Sequence, residues 1–173
     1  MKFFSANLQD LRELYTNTLQ KAYAMEQQIT KALPTMIEKS TDPQLKQAFQ
    51  AHLEETETHV TLLHGILEET LGEAETIKCK VLAALVSEAE DAIKDAADPS
   101  VRDAALIAAG QQVEHHEIAV YGTLRTWAGI LGEVEQAETL ESILEEEKHA
   151  DVLLTGISSR VNLDAEMPVN VAA

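Results

Sequence analysis

The sequence predicts an all-α protein with four long helices and one short helix. Helix-favouring Ala, Leu, Glu and Gln are abundant, and aromatic residues make up only 4 % of the 173-residue chain. Over long stretches, apolar residues recur at alternating steps of three and four, which is the spacing of one helix face. A hydrophobic content of 45 % indicates a folded core in a single domain. We therefore expect a helical domain over residues 1–160 and a loosely ordered tail at 161–173.

The first long helix is predicted to begin near Ser5 or Asn7, because both are good N-cap residues. Pro34 should kink this helix near its end rather than begin a new one. One acid, Glu26, stands in the apolar stripe. The stripe reads Leu8, Leu11, Tyr15, Leu19, Ala22, Glu26, Ile29, Leu33 and Ile37.

The second long helix follows a clear boundary signal, because Asp42 can cap a helix and Pro43 suits the first helical position. Gly72 should end it. Polar residues interrupt the middle of its stripe, which reads Leu45, Ala48, His52, Glu55, His59, Leu62 and Ile66.

A shorter helix between residues 78 and 97 is predicted to connect the second and third long helices. Asp98 or Ser100 should cap the third long helix, and Gly132 should end it. The stripe of this third helix reads Leu106, Gly110, Val113, Glu117, Val120, Leu124, Trp127 and Leu131.

The fourth long helix is predicted from about Glu133 to about Ser159, with Glu147 and Asp151 on its apolar stripe. Helices of roughly 25 to 33 residues span about 40 to 50 Å, the dimensions of a four-helix bundle. The short first link makes its two helices antiparallel, and the long second link is a crossover. These features favour a ferritin-like four-helix bundle with a short crossover helix between helices two and three.

Each long helix places an acid in its apolar stripe, near the middle. A carboxylate at a core position is disfavoured unless it pairs with a cation or binds a metal ion. Four helices with acids at matching depth favour two bound transition-metal ions, iron or manganese before zinc. The candidate metal ligands are Glu26, Glu55, Glu114, Glu117, Glu147, His52 and Asp151. No catalytic residue is assigned.

Alternatives remain open for several of these residues. Glu26 or Glu147 could pair with a lysine or arginine instead of a metal. His52 and His59 could each be a ligand or a core histidine with ordinary hydrogen bonds. The remaining histidines are expected beside the site or exposed (His115, His116) or at the surface (His64, His149), and the tyrosines that could line the site are Tyr15, Tyr23 and Tyr121.

The net charge of −17 disfavours nucleic acid and anionic membranes as partners and favours cations, including metal ions. Cys79 is the single cysteine and cannot form an internal disulfide. The sequence has neither a secretory apolar segment nor an apolar run long enough to span a bilayer. We therefore expect a cytoplasmic protein.

Five segments are distinctive: His52-Leu53-Glu54-Glu55-Thr56, Val101-Arg102-Asp103-Ala104-Ala105-Leu106-Ile107-Ala108-Ala109, Val113-Glu114-His115, Tyr121-Gly122-Thr123-Leu124 and Glu145-Glu146-Glu147-Lys148. Together they resemble the YciF/YciE family of ferritin-like bacterial stress proteins over about residues 5–158. The resemblance implies a ferritin-like bundle with a dinuclear metal site, a homodimer, and a biochemical activity that is poorly defined in the family. The positions that match the family's acids are Glu26, Glu55, Glu114, Glu117 and Glu147.

The sequence departs from the wider superfamily in its histidines. The usual Glu-x-x-His pattern would place histidine at positions 58 and 150, where this chain has Thr58 and Ala150. The pair Glu114-x-x-Glu117 is similar to the paired acids on the third helix of rubrerythrins. The resemblance therefore implies a carboxylate-rich site.

Three functions fit the sequence. The first is a stress-related di-metal oxidoreductase or peroxidase that acts on peroxide or oxygen. The second is a structural or metal-sequestering helical dimer without catalytic turnover. The third is a metal-free helical interaction module, which the buried acids disfavour. Metal content separates the third function from the others, and peroxide turnover separates the first two.

Overall fold

The computed structural model describes residues 8–167, and every regular element within them is an α-helix. The all-α class is therefore confirmed. The helices are α1 (Leu11–Lys39), α2 (Pro43–Leu71), α3 (Lys80–Asp95), α4 (Pro99–Leu131) and α5 (Val134–Glu166).

The boundaries of α2 and α4 follow the same local chemistry. Each begins with an aspartate cap followed by a proline, and the carboxylates of Asp42 and Asp98 each accept hydrogen bonds from two backbone N–H groups of the first turn. Each ends at a glycine in the left-handed region, Gly72 at φ 78° and Gly132 at φ 81°. These positions agree with the sequence signals, and they select Asp98 rather than Ser100 as the cap of α4.

The start of α1 lies later than the sequence predicts. Asp10 is the N-cap, because its carboxylate accepts a hydrogen bond from the backbone N–H of Glu13 at 2.8 Å. The Glu13 carboxylate in turn accepts one from the backbone N–H of Gln9 at 2.7 Å. These two bonds stabilise the first turn, in the manner of a capping box. Ser5 and Asn7, the predicted caps, lie outside the described residues.

The end of α5 also lies later than predicted, so the boundary placed after residue 160 is corrected. Val161 is only 2 % exposed, and Arg160 contacts the Asp42 carboxylate at 2.6 Å. These contacts attach the last turns of α5 to the start of α2, although few apolar residues mark them in the sequence. The rest of the predicted tail, 168–173, lies outside the described residues.

The four long helices contact one another around a shared core. α1 packs against α2 and α4, and α5 packs against α2 and α4, while α3 lies on the outside against α4 and α1. Large side chains fill the core, including Tyr15, Leu19, Leu63, Leu124 and Leu140. In the described part of the chain, no helix has both the length and the hydrophobicity needed to cross a membrane.

A buried aspartate fixes α4 relative to the turn between α1 and α2. The Asp103 carboxylate accepts hydrogen bonds from the backbone N–H and the hydroxyl of Thr41, at 2.8 and 2.6 Å. It also accepts one from the backbone N–H of Asp42 at 2.7 Å. Because these bonds satisfy Asp103, this buried acid needs no metal, unlike the acids at the middle of the helices.

Candidate metal centre

Six side chains of types that can bind a metal ion, contributed by the four long helices, meet in the core. Each is 6 % exposed or less. They meet because each lies on the inward face of its helix, near the middle of that helix. The six are Glu26 from α1, His52 and His59 from α2, Glu114 and Glu117 from α4, and Glu147 from α5.

The six residues form two groups that share one acid. The first group is His52, Glu114, Glu117 and Glu147, and the second is Glu26, His59 and Glu147. Within each group, one ligand atom per residue lies within 4.8 Å of the others. Glu147 thus stands between two potential metal positions.

Short contacts connect the imidazoles to the acids. His52 Nε2 lies 3.4 Å from Glu114 Oε1 and 3.9 Å from Glu147 Oε2. His59 Nδ1 lies 3.1 Å from Glu147 Oε1 and 3.8 Å from Glu26 Oε2. Each imidazole therefore directs a nitrogen at the shared carboxylate.

Most of the polar atoms in this cluster have no hydrogen-bond partner among residues 8–167. They include both oxygens of Glu117, both oxygens of Glu147, both ring nitrogens of His52, Nδ1 of His59 and one oxygen each of Glu26 and Glu114. Each buried group left without a partner costs about 1–3 kcal/mol, and more when it is charged. Carboxylates with a few imidazoles are the ligands that suit iron and manganese in helical bundles. The residues present therefore fit a pair of such ions.

Lysine and arginine do not neutralise the central acids. In the part of the chain that the structure describes, the salt-bridge contacts of Glu26 and Glu147 are all to histidine. The ion-pair alternative for these two acids therefore has no support from the packing.

Burial and mutual repulsion make the acids of α4 difficult to ionise. Burial raises the pKa of Glu117 well above its ordinary value, and the charges of Glu147, Glu26 and Glu114 raise it further. Burial also raises the pKa of Glu114, although the charge of His52 partly opposes this effect. Without a cation between them, these carboxylates therefore keep their protons to a higher pH than exposed glutamates do.

The histidines respond in the opposite sense to the same environment. Burial would lower the pKa of His52, but the charge of Glu114 and contacts with other acids raise it to about 9. Burial likewise opposes protonation of His59, but the carboxylate oxygens of Glu147 and Glu26 that face its Nδ1 stabilise the protonated ring and raise its pKa to about 11. In the absence of metal, protonated imidazoles therefore neutralise part of the cluster.

Two neighbouring residues support the cluster from outside. The Tyr121 hydroxyl donates a hydrogen bond to Glu26, so Tyr121 lines the site, whereas the Tyr15 hydroxyl donates elsewhere, to Gln136 at 2.8 Å. His59 Nε2 lies 2.6 Å from the half-exposed carboxylate of Glu146. Glu146 therefore orients the His59 ring so that Nδ1 faces the acids.

His59 belongs to the cluster, although its role was left open by the sequence. The signal was present, because His59 lies seven residues after His52 and so two helical turns further along the same face. No sequence signal identified Glu146 as the partner of His59, because that carboxylate lies on the flank of another helix.

Glu55 is not brought into the cluster. Its side chain is 40 % exposed, and its nearest charged neighbour is His52 Nδ1 at 3.7 Å. The predicted stripe of α2 was wrong by one residue here, since fully buried Thr56 occupies the inward position. Glu55 and Thr56 both fit the helical spacing of α2, and packing places the uncharged Thr56 in the core. Glu55 instead lines the opening of a cavity of about 90 Å³ between α2 and α5 that reaches His52 and Glu114.

Asp151 is also kept apart from the six residues. Its side chain is 21 % exposed, and Oδ1 lies 3.4 Å from His115 Nδ1 and 3.3 Å from the amide nitrogen of Gln111. The residue that turns inward at this level of α5 is Ala150, which is buried. Asp151 therefore contacts the surface of α4, so its predicted place in the core stripe was wrong.

A second cavity, of about 80 Å³, reaches the cluster from the α3 side. Its lining is mostly apolar, and it ends at His52 and Glu114. Ala109 and Gly110 line it. One water molecule has a volume of about 30 Å³ in the liquid, so a small oxidant fits this space.

The chain is similar to proteins of known sequence and structure. It matches the family described as "Domain of unknown function (DUF892)" over residues 10–166. It is 40 % identical over 162 residues to protein YciF from Escherichia coli strain K12, covering 92 % of this chain and 98 % of YciF.

Two solved structures share the architecture. The crystal structure of the E. coli stress protein YciF has a TM-score of 0.86 at 37 % identity, covering 90 % of this chain and 99 % of that one. YcfI from Rhodopseudomonas palustris, named as a proposed structural protein, has a TM-score of 0.85 at 40 % identity, covering 88 % and 98 %.

Proposed function

The chain belongs to the DUF892 family, and from this premise and the buried cluster we propose a stress-related ferritin-like protein with a dinuclear iron or manganese site that acts on peroxide or oxygen. The membership that the sequence motifs indicated is confirmed by the family match and by the identity to YciF. In this proposal, α1, α2, α4 and α5 are the four-helix bundle, and α3 is the crossover helix.

One observation carries the metal proposal. Six buried ligand-type side chains from four helices, four glutamates and two histidines, face one another, and most of their polar atoms have no partner among residues 8–167. Burial of so many ionisable groups is unfavourable without cations between them.

The two groups suggest how the ions would be held. His52 and Glu114 would bind one ion, Glu26 and His59 would bind the other, and Glu147 would contact both. Glu117 would complete the first group. Tyr121 keeps one Glu26 oxygen hydrogen-bonded, which leaves the other oxygen directed at the site.

Glu146 should act through His59. Replacing Glu146 with glutamine removes the carboxylate that holds His59 Nε2, so the ring loses its fixed orientation and basicity. We expect metal affinity to fall by about ten- to a hundredfold, the usual effect of losing such a partner. Isothermal titration of the metal-free protein with manganese or iron(II) measures it.

The neighbouring Glu145 provides a matched control, because it is exposed and contacts only Lys148, at 2.6 Å, among the described residues. Glu145→Gln should bind metal like the wild type. Equal affinity in Glu146→Gln and Glu145→Gln would mean that the contact with His59 does not support a ligand.

The chemistry proposed for the site is reduction of a small oxidant. Iron or manganese ions held by these residues would supply the electrons. The protein contributes the apolar cavity that admits the oxidant to His52 and Glu114 while limiting water. Solvent supplies the protons for the reduced oxygen atoms, because the acids of the cluster bind an ion only when they are deprotonated.

Peroxide consumption tests the proposed activity. Metal-loaded protein should consume hydrogen peroxide faster than an equal concentration of free metal, on the order of tenfold or more. In Glu117→Ala the rate should fall to the free-metal level. A loaded wild-type protein that is no faster than this variant would refute the oxidoreductase function.

A structural or metal-sequestering role is the second candidate. The observation that favours it is the name given to YcfI, which describes that similar protein as structural. In this case metal would bind and raise stability without peroxide turnover.

The homodimer and the cytoplasmic location stay predictions from the sequence.

A further inference from the structure

A large pocket lies between α1, α4 and the segment that leads into α3, and none of the six cluster residues lines it. Its volume is about 800 Å³, within the range that holds small organic ligands. The backbone N–H of Ile77 donates a hydrogen bond to the carbonyl of Gln20 at 3.2 Å, which attaches the link to α1. The pocket is thus a built feature of the fold.

The charge of this pocket is opposite to that of the protein. Three lysines line it, Lys21, Lys78 and Lys80, and no aspartate or glutamate lies among its lining residues. The whole chain has 13 lysines and arginines and 30 acidic residues, so a pocket lined by three lysines and no acid is unusual for this protein. None of the three lysines forms a salt bridge within residues 8–167. The pocket therefore offers free positive charge to an anion.

Two further groups make the pocket specific. Asn17 is more than nine-tenths buried and lines the pocket, and its side-chain amide has no hydrogen-bond partner among the described residues. Cys79, the single cysteine of the chain, also lines it, with Sγ 3.7 Å from Nε2 of His116. An unused amide, free cations and a thiol therefore share one space with apolar walls.

We propose that this pocket binds small organic anions that carry a disulfide, and that Cys79 forms a reversible mixed disulfide with them. The lysines bind the negative groups of the ligand, and the Asn17 amide supplies a hydrogen bond. The site is independent of the metal cluster.

The reaction is a thiol–disulfide exchange. The Cys79 thiol loses its proton to solvent, and the thiolate attacks one sulfur of the bound disulfide. A new sulfur–sulfur bond forms to Cys79, the original one breaks, and the second half leaves as a thiolate. The protein thiol is oxidised and the small disulfide is reduced, so no other oxidant is needed.

The test compares two disulfide reagents that differ in charge. Dithiobis(nitrobenzoate) carries two carboxylates, whereas dithiodipyridine is neutral near pH 8. Because Cys79 is the only thiol, the released chromophore reports this residue alone. For each reagent, the rate with the native full-length protein is divided by the rate with a small free thiol. We expect this ratio to be about tenfold higher for the anionic reagent than for the neutral one. The advantage should shrink with added salt.

Lysine variants locate the effect. Lys78→Glu/Lys80→Glu should slow the anionic reagent by about tenfold and leave the neutral reagent unchanged. The control is Lys46→Glu/Lys94→Glu, which makes the same charge change at two lysines outside the pocket lining. Asn17→Ala should also slow the anionic reagent.

The neutral reagent checks that the pocket is intact in each variant. The proposal would be overturned by equal slowing of both reagents, by equal rates in the two double variants, or by a Cys79 that reacts only after unfolding. Mass spectrometry of the product should show one added half-reagent per chain, and no addition would also overturn it.

Discussion

Replacing Glu147 with alanine should abolish binding at both metal positions. Glu147 is the one residue common to the two groups, and its two oxygens face His52 and His59. Bound metal should therefore fall from about two ions per chain to almost none. The chain should remain helical, because removal of one buried carboxylate also relieves repulsion among the other acids.

Other substitutions should remove one of the two metal ions and keep the other. Glu26→Ala and His52→Ala should each remove about one ion, because each residue belongs to one group only. Asp151→Ala is the matched control, since the structure places this acid outside the cluster. Glu55→Ala should keep both ions at reduced affinity, because it removes only a contact with His52 Nδ1. Elemental analysis of the reconstituted proteins measures all five.

Loss of metal in the Asp151 and Glu55 variants, with retention in Glu147→Ala, would contradict the assignment. It would mean that Asp151 and Glu55 are metal ligands, as the sequence alone predicted.

The metal-free protein should lose stability as the pH rises. In the folded state, Glu114 and Glu117 have pKa values above their ordinary value of 4.5, and those of His52 and His59 are raised from 6.5 to about 9 and about 11. Each group therefore holds its proton more tightly when folded than when unfolded. The resulting stabilisation is complete below the unfolded pKa and is lost as the pH rises toward the folded pKa.

The size of this loss should be measurable by urea unfolding. One pKa unit corresponds to about 1.4 kcal/mol, so we expect each of the two histidines to contribute a loss of about 2–3 kcal/mol between pH 6.5 and 9. The net charge of −17 also destabilises the protein at high pH. Comparison of Glu117→Gln with the exposed-site control Glu57→Gln separates proton release by the buried cluster from the repulsion caused by the net charge. The slope below pH 6.5 should be flatter only in Glu117→Gln.

Bound metal should oppose the loss of stability that the metal-free protein shows as the pH rises. The ligands bind an ion only when they are deprotonated, so binding becomes more favourable as the pH rises. The stability difference between loaded and metal-free protein should therefore widen from pH 6 to 9. A constant difference over this range, or a metal-free protein that gains stability with pH, would be inconsistent with a cluster of proton-holding metal ligands.

The helix pattern and part of the site could be predicted from the sequence because their causes are local. Asp42 and Gly72 act through a few neighbouring backbone groups, so their positions identify the boundaries of α2. Glu26, Glu117 and Glu147 stand out because a charge interrupts an otherwise apolar stripe. Such signals depend only on helical geometry.

The remaining features depend on contacts between helices. Glu55 and Thr56 both fit the helical spacing of α2, and only packing shows that Thr56 faces the core. The last turns of α5 contact the start of α2 through Arg160 and Asp42, which lie far apart in the chain. The contact of Glu146 with His59 is likewise between two helices. A single sequence does not contain these distances.

The central claim is that two ions bind among the six buried residues, and metal-edge anomalous diffraction from crystals of iron- or manganese-loaded protein tests it most directly. We expect two anomalous peaks per chain, one beside His52 and Glu114 and one beside Glu26 and His59, with Glu147 between them. Loaded crystals with no peak among these residues, or with peaks only at surface acids, would contradict the account.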